Sequence, residues 1–264
     1  MNPTLQRTAL ITGASSGIGR ELARLLAADG VDLVLVGRSH AGLQELAEKL
    51  QAGHRVSVRC EPRDLSEPRA AARLWTDLTD VGIAIDILVN NAGVGMYGAL
   101  EQQDADALER MVQLDVVTLT SLTRLALPGM KARNWGRILN LGSIVGYQPA
   151  GPRMAAYYAS KAYVVSFSKG VARELAGTGV SVTLLSPGLT ESAFEERSGA
   201  GGTLLYKVLP KMPAAAVARA GYEGLMRQKT VVIPGFITKI LSFAGELPPR
   251  RIGVEVNRLL LQER

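Results

Sequence analysis

The chain has 264 residues, 47% of them hydrophobic and 20% charged, with 30 Lys and Arg against 24 Asp and Glu for a formal charge of +6. That balance excludes a disordered chain, which would be poor in apolar residues and far from neutral. The length suits one α/β domain over 1–264, able to bury about three-quarters of the surface its unfolded form exposes. The single cysteine, Cys60, excludes an intrachain disulfide and a cysteine-rich zinc centre, and two histidines, His40 and His54, leave no histidine cluster to work with. The charges are dispersed, with no basic stripe interleaved with aromatics, so no nucleic-acid partner is expected. No apolar run reaches the length of a membrane span, and no charged segment followed by an apolar core precedes the first strand. The cytoplasm is the expected compartment.

Short β-branched runs at 8–13, 31–37, 56–60, 85–90, 137–141, 180–186 and 231–234 read as strands. Their near-continuous apolar character suits strands covered on both faces. Between them, leucines and alanines recur at steps of three and four over 18–29, 41–52, 67–79, 104–130 and 156–176, which predicts helices. Strand and helix in alternation predict a parallel sheet, doubly wound through right-handed crossovers.

The first strand runs into Thr12-Gly13-Ala14-Ser15-Ser16-Gly17-Ile18-Gly19. Glycines here let backbone N–H groups approach a pyrophosphate, and the helix N-terminus that follows favours negative charge. Gly13, Ser15, Ser16, Gly17, Ile18 and Gly19 are therefore assigned to a dinucleotide. The second strand ends at Arg38-Ser39, a cation and a hydroxyl, whereas an NAD site usually has an acid there. Asp32 lies at the other end of that strand. Arg38 and Ser39 suit a ribose 2′-phosphate, so NADP(H) is favoured over NAD. Cys60, in the third strand, reads as an inert core thiol, and His40 and His54 as surface residues.

Tyr157-Tyr158-Ala159-Ser160-Lys161 places a tyrosine and a lysine four apart on one helix face. An ammonium close to a phenol favours the phenolate and makes tyrosine usable as an acid and base near neutral pH. Tyr158, three residues from Lys161, is not excluded by spacing. The segment 198–203, Ser-Gly-Ala-Gly-Gly-Thr, reads as a mobile loop, and closure of 192–206 over a bound cofactor is expected. Beyond it, apolar residues interspersed with Lys239, Arg250, Arg251 and Arg258 around Pro248-Pro249 leave three roles open. They could form an interfacial helix on a membrane, a cover over a substrate cleft, or a contact with a partner subunit.

The glycine turn, Asn90-Asn91-Ala92-Gly93, Ser143, Tyr157-x-x-x-Lys161 and Pro187-Gly188, in this order, resemble the short-chain dehydrogenase/reductase superfamily, classical type. The resemblance is dense over about residues 7 to 195. It implies a Rossmann-like, doubly wound, seven-stranded parallel sheet with helices on both faces, and nicotinamide-dependent interconversion of a carbonyl and an alcohol. It selects Tyr157 as the proton donor and acceptor. Lys161 would lower the Tyr157 pKa and hold the nicotinamide ribose, and Ser143 would bond the substrate oxygen. Asp64 and Leu65 would meet adenine, Asn91, Ala92 and Gly93 the adenosine ribose, and Pro187, Gly188 and Thr190 the nicotinamide.

Two departures stand out. Asp115 occupies the place where the family usually has an Asn anchoring a water relay to the lysine, and it puts a carboxylate near the Lys161 ammonium. The gap of 14 residues from Ser143 to Tyr157 is one more than usual, read as an extra residue in the loop 148–152. The family also implies a homodimer or homotetramer through the helices at 104–130 and 156–176. The substrate is expected to be an apolar or aromatic carbonyl or alcohol, in a cleft including Gly95, Met96, Tyr97, Val145, Tyr147, Pro149, Phe194, Leu204 and Leu205. The competing reading is a catalytically silent dinucleotide-binding regulator.

Overall fold

The structure, a computed structural model, describes residues 6–247 and 249–262; Pro248 of the C-terminal proline pair lies outside them. Nine strands are found among the described residues: β1 (Thr8–Thr12), β2 (Asp32–Gly37), β3 (Val58–Pro62), β4 (Ile87–Asn90), β5 (Gly136–Leu141), β6 (Val180–Leu185), β7 (Thr190–Glu191), β8 (Met212–Pro213) and β9 (Val231–Val232). Seven form one parallel sheet in the order β3-β2-β1-β4-β5-β6-β9, and β7 pairs with β8 in a separate ribbon. The chain therefore reverses direction across the sheet between β1 and β4. In such sheets a ligand crevice opens at that switch point, beyond the carboxyl ends of the strands.

The helices are α1 (Gly17–Ala28), α2 (His40–Gly53), α3 (Ala70–Asp80), α4 (Ala105–Val112), α5 (Leu119–Ala132), α6 (Ala155–Glu174), α7 (Phe194–Ser198), α8 (Leu204–Val208), α9 (Ala214–Met226), α10 (Phe236–Glu246) and α11 (Arg250–Leu260). Alternate strand residues feed two cores. Ala9, Ile11, Leu33, Leu35, Ile87 and Val89 pack under α1, α2 and α9, through Leu22, Leu46 and Val217 among others. Leu10, Val34, Val36, Leu88 and Ile138 pack under α3, α5 and α6, through Leu74, Leu122 and Val171. This two-sided burial is why the strands read as continuous apolar runs.

Two details differ from the sequence reading, and a third falls within it. The single helix expected over 104–130 is α4, a π-helical stretch over Gln113–Thr118, and α5. A π-turn holds one more residue than an α-turn, and such insertions cluster at functional sites. The segment 192–206 is not an open loop. It carries α7 and α8, with Ala200 and Thr203 wholly buried and the Thr203 hydroxyl donating to Ala200 O at 2.8 Å. The C-terminal segment forms two helices that cover the crevice. Gln148 Nε2 donates to Leu241 O (2.9 Å), Asn257 Nδ2 to Ala150 O (2.6 Å) and the Tyr97 hydroxyl to Leu261 O (2.5 Å).

Candidate active site

A cavity of about 620 Å³ lies beyond the carboxyl ends of the strands, at the switch point. One end is formed by the β1–α1 turn. Gly13 and Gly17 there have φ values of +66° and +54°, a region that side-chain-bearing residues rarely adopt. Asn91 braces this turn. Its Nδ2 donates to Thr12 O at 2.9 Å and Gly13 O at 3.1 Å, while the Thr12 hydroxyl accepts from the N–H groups of Asn91 and Ala92 at 3.0 Å each. Ser16 stands at the N-cap of α1 without a side-chain cap, and the first turn carries no acidic residue. The leading N–H groups of α1 are thus left for an anion in the cavity lined by Ser15, Ser16, Gly17 and Ile18. These residues fit a dinucleotide pyrophosphate. Gly19 does not line the cavity. A Cβ there would lie 2.4 Å from Asn91 Nδ2 and 2.5 Å from Gly13 O, so this glycine lets the helix close on the turn.

Arg38, Asp64 and Leu65 line the same end. Ser39 sits off the cavity lining because its hydroxyl caps α2, accepting from Gly42 N–H at 3.1 Å. Asp32 is at the far end of β2, accepting from Ser57 N–H at 2.6 Å. Arg63 and Ser66 also line this end, though the sequence reading did not single them out. Arg63 is bound to Glu61 and Asp77, and Ser66 donates to Asp64 through its N–H (2.9 Å) and hydroxyl (2.6 Å). Cys60, half-buried in β3, has its thiol pushed up by burial and then by the charge of Glu61, in keeping with an inert thiol.

Ser143, Tyr157 and Lys161 meet on the opposite wall, with Pro187, Gly188 and Thr190 beside them. Ser143 starts a 3₁₀ turn after β5, its hydroxyl accepting from Val145 N–H at 3.3 Å. Tyr157 and Lys161 lie one turn apart on α6, both buried. Lys161 Nζ is 3.2 Å from Asp115 Oδ2 and 3.4 Å from Leu141 O. Asp115, only 1% exposed, does not line the cavity; it lies behind Lys161 on the π-helical stretch. Its other oxygen accepts from Val94 N–H at 3.0 Å, and Ser160 Oγ is 3.4 Å from Oδ2. A Cβ on Gly93 would stand 3.2 Å from both Lys161 Nζ and Asp115 Oδ1, so the bare backbone at Gly93 admits the pair.

The electrostatics differ from the expectation that Lys161 holds Tyr157 down. Burial pushes the Tyr157 hydroxyl up, the Asp115 carboxylate adds to this, and a hydrogen bond with Ser143 pulls the other way. Burial also pushes the Asp115 carboxyl up, against the pull of Lys161, Val94 N–H and Ser160. Burial and the Asp115 charge thus both favour the neutral form of Tyr157.

The remainder of the cavity is mostly apolar, with Gln148, Ser192, Arg197 and Tyr206 among its polar lining. Gly95, Met96, Val145, Phe194 and Leu205 line it as expected, and Tyr158 joins them. The Tyr158 ring packs against Gly151, where a Cβ would lie 2.4 Å from it. The Phe194 ring lies tilted beside Tyr157, with ring centroids 5.3 Å apart. Four expected residues turn away from the lining. Tyr147 is carried by the 3₁₀ turn into a separate core with Leu119, Val164 and Leu184, under the Lys169 ammonium. Tyr97 holds the C-terminus, and Pro149 packs against Gly253 of α11. Leu204 lies off the lining at the start of α8, its N–H donating to Gln262 O at 3.0 Å. In their place α10 and α11 supply Ile237, Thr238, Leu241, Val256, Asn257 and Leu260. No group of three or more potential metal ligands occurs among the described residues.

The family model described as short chain dehydrogenase matches residues 7–201. The chain belongs to the short chain dehydrogenase family. It is an oxidoreductase whose fold binds a nicotinamide dinucleotide. Among its relatives is sulfoacetaldehyde reductase 2 of Chromohalobacter salexigens, 36% identical over 95% of this chain and 91% of that protein. A short-chain dehydrogenase from Sphingobium yanoikuyae, solved in complex with NADPH, superposes with a TM-score of 0.81. It is 34% identical and covers 90% of this chain and 92% of that one. The bulky-bulky ketone specific alcohol dehydrogenase of Comamonas testosteroni superposes with a TM-score of 0.76 at 32% identity, over 91% of each chain.

Proposed function

We propose that the chain is an NADP(H)-dependent dehydrogenase/reductase that interconverts a bulky apolar carbonyl compound and its alcohol, with Tyr157 as acid and base. The observation that carries this reading is the meeting of Ser143, Tyr157 and Lys161 on one wall of a cavity whose far end is the glycine turn and Arg38. A bound nicotinamide supplies or takes up the hydride. Tyr157 gives its hydroxyl proton to the carbonyl oxygen in reduction and takes it back in oxidation. Ser143 donates a hydrogen bond to the same oxygen as charge gathers on it. An ammonium has three protons. Lys161 uses two contacts on Asp115 and Leu141 O, which leaves one donor for the ribose hydroxyls. Arg38 neutralises a 2′-phosphate, and no acidic residue at the end of β2 opposes it.

The NADPH in the Sphingobium structure and the bulky ketone in the Comamonas enzyme's name support both halves of the reading. So does the lining by Met96, Met111, Val145, Phe194, Leu205 and Leu241. Val112, Val117 and Tyr163 are apolar and exposed around α4 to α6, which supports a second copy packing there. The intact Ser143, Tyr157 and Lys161 lend nothing to a silent regulator.

The test is a titration of wild type and Arg38→Glu with NADPH and NADH, followed by turnover on a panel of aliphatic and aromatic ketones. Wild type should bind NADPH about tenfold or more tighter than NADH, since a hydrogen-bonded charge pair is worth that much. Arg38→Glu should lose the preference. Equal binding of both cofactors by wild type overturns the NADP assignment, and no oxidation of NADPH with any ketone overturns the reductase.

A further inference from the structure

The two C-terminal helices bury less than their composition demands. On α10, Phe236, Ile240 and Phe243 recur at helical spacing and, with Leu247 just past its end, all face solvent, Phe236 being 78% and Phe243 66% exposed. On α11, Ile252, Val256 and Leu259 do the same, four and three residues apart. The two helices touch each other. Exposed apolar faces of this extent mark an interaction surface.

Two further observations choose the partner. First, Ile237 and Val256 line the active-site cavity and are also about half exposed, at 49% and 48%. The mouth of the cavity therefore opens within the apolar surface. Second, the charges on these helices are uneven. Glu246 is paired with Lys169 and Glu255 with Arg258, whereas Lys239, Arg250 and Arg251 make no ion pair among the described residues. An isologous contact between two copies would gather these three cations and their three images, without ion-pair partners, on one interface. An anionic lipid surface would instead match both features, accepting the apolar stripes between its headgroups and the cations against them. No helix among the described residues is long and apolar enough to cross a membrane, so the contact is interfacial.

We infer that α10 and α11 dock the protein on an anionic bilayer surface, with the cavity mouth facing the lipid. This goes beyond the reductase reading and adds to it an entry route for carbonyl substrates that partition into the bilayer.

Flotation with vesicles tests it by a readout separate from turnover. Wild type would be mixed with vesicles of phosphatidylcholine alone and of phosphatidylcholine with phosphatidylglycerol, beside Phe236→Ser/Phe243→Ser and Lys239→Glu/Arg250→Glu/Arg251→Glu. None of these five residues lines the cavity. Reduction of a small water-soluble ketone, unchanged in both variants, would show that the fold and site are intact. Wild type should float with the anionic vesicles only. Three cations near such a surface raise partitioning by about a hundredfold, and the charge variant should lose at least that factor. The serine variant should no longer float. Absence of wild-type flotation, or flotation untouched in either variant, overturns the inference. So does light scattering in which wild type is dimeric and the serine variant monomeric while neither binds vesicles, since the face would then join two copies.

Discussion

The ammonium of Lys161 lies 3.2 Å from the carboxylate of Asp115, a residue that touches neither the cavity nor the solvent. The pair divides the charge economy of the site. Lys161 is anchored from behind, and Tyr157 is left under the influence of burial and of a nearby negative charge, both of which keep its proton on. A tyrosine so held is a ready donor for reduction and a reluctant acceptor for oxidation.

The pH dependence of alcohol oxidation follows from this. In the role proposed for Tyr157, oxidation needs its ionised form, so the rate should rise as pH increases. Asp115→Asn removes the carboxylate that pushes Tyr157 up and frees the Lys161 charge to act on the phenol. Both changes favour the ionised form. The rising limb of kcat/KM for oxidation should therefore move to lower pH, and the falling limb for reduction should move the same way. A profile that stays in place, or moves to higher pH, would show that Asp115 does not act on Tyr157.

Asp115→Ala should behave differently, because it leaves the buried Lys161 ammonium and the Val94 N–H without their partner. Removing one member of a buried ion pair costs about 3–5 kcal/mol. Denaturation by urea should show a loss near the lower end, since Lys161 keeps a contact with Leu141 O. Asp115→Asn, which can still accept from Val94 N–H, should lose less. Equal stability of all three proteins would mean that the ion pair contributes nothing.

Much of the site was legible from local chemistry. The glycine turn and the Tyr157–Lys161 spacing announce themselves because each needs particular residue types at a fixed step along one element. What stayed hidden depends on where elements turn. Tyr147 follows Ser143 by only four residues, yet the 3₁₀ turn carries it into a separate core. Asp115 reads as one position in a long helix, and the π-helical stretch that carries it has no composition of its own. On α10 Ile237 and Leu241 line the cavity while Phe236 and Phe243 are exposed, so apolar character alone does not betray which side of the helix is covered.

The packing of Gly19 against Asn91 gives a third expectation. Gly19→Ala inserts a methyl group against Asn91 Nδ2 and the backbone oxygen of Gly13, neither of which can withdraw without opening the turn. Overpacking of this kind costs about 1–3 kcal/mol. Both stability and dinucleotide affinity should fall, with turnover at saturating cofactor nearly kept. Unchanged cofactor affinity would mean that the turn is not the pyrophosphate site.

The most direct measurement compares wild type, Tyr157→Phe and Tyr158→Phe for NADPH binding and for reduction of one bulky ketone. All three should bind NADPH alike. Tyr158→Phe should keep turnover, because its ring serves packing against Gly151. Tyr157→Phe should lose about 10²–10⁴-fold in kcat, the usual contribution of a positioned acid. Turnover by Tyr157→Phe at the wild-type rate would contradict the assignment of Tyr157 as the proton donor.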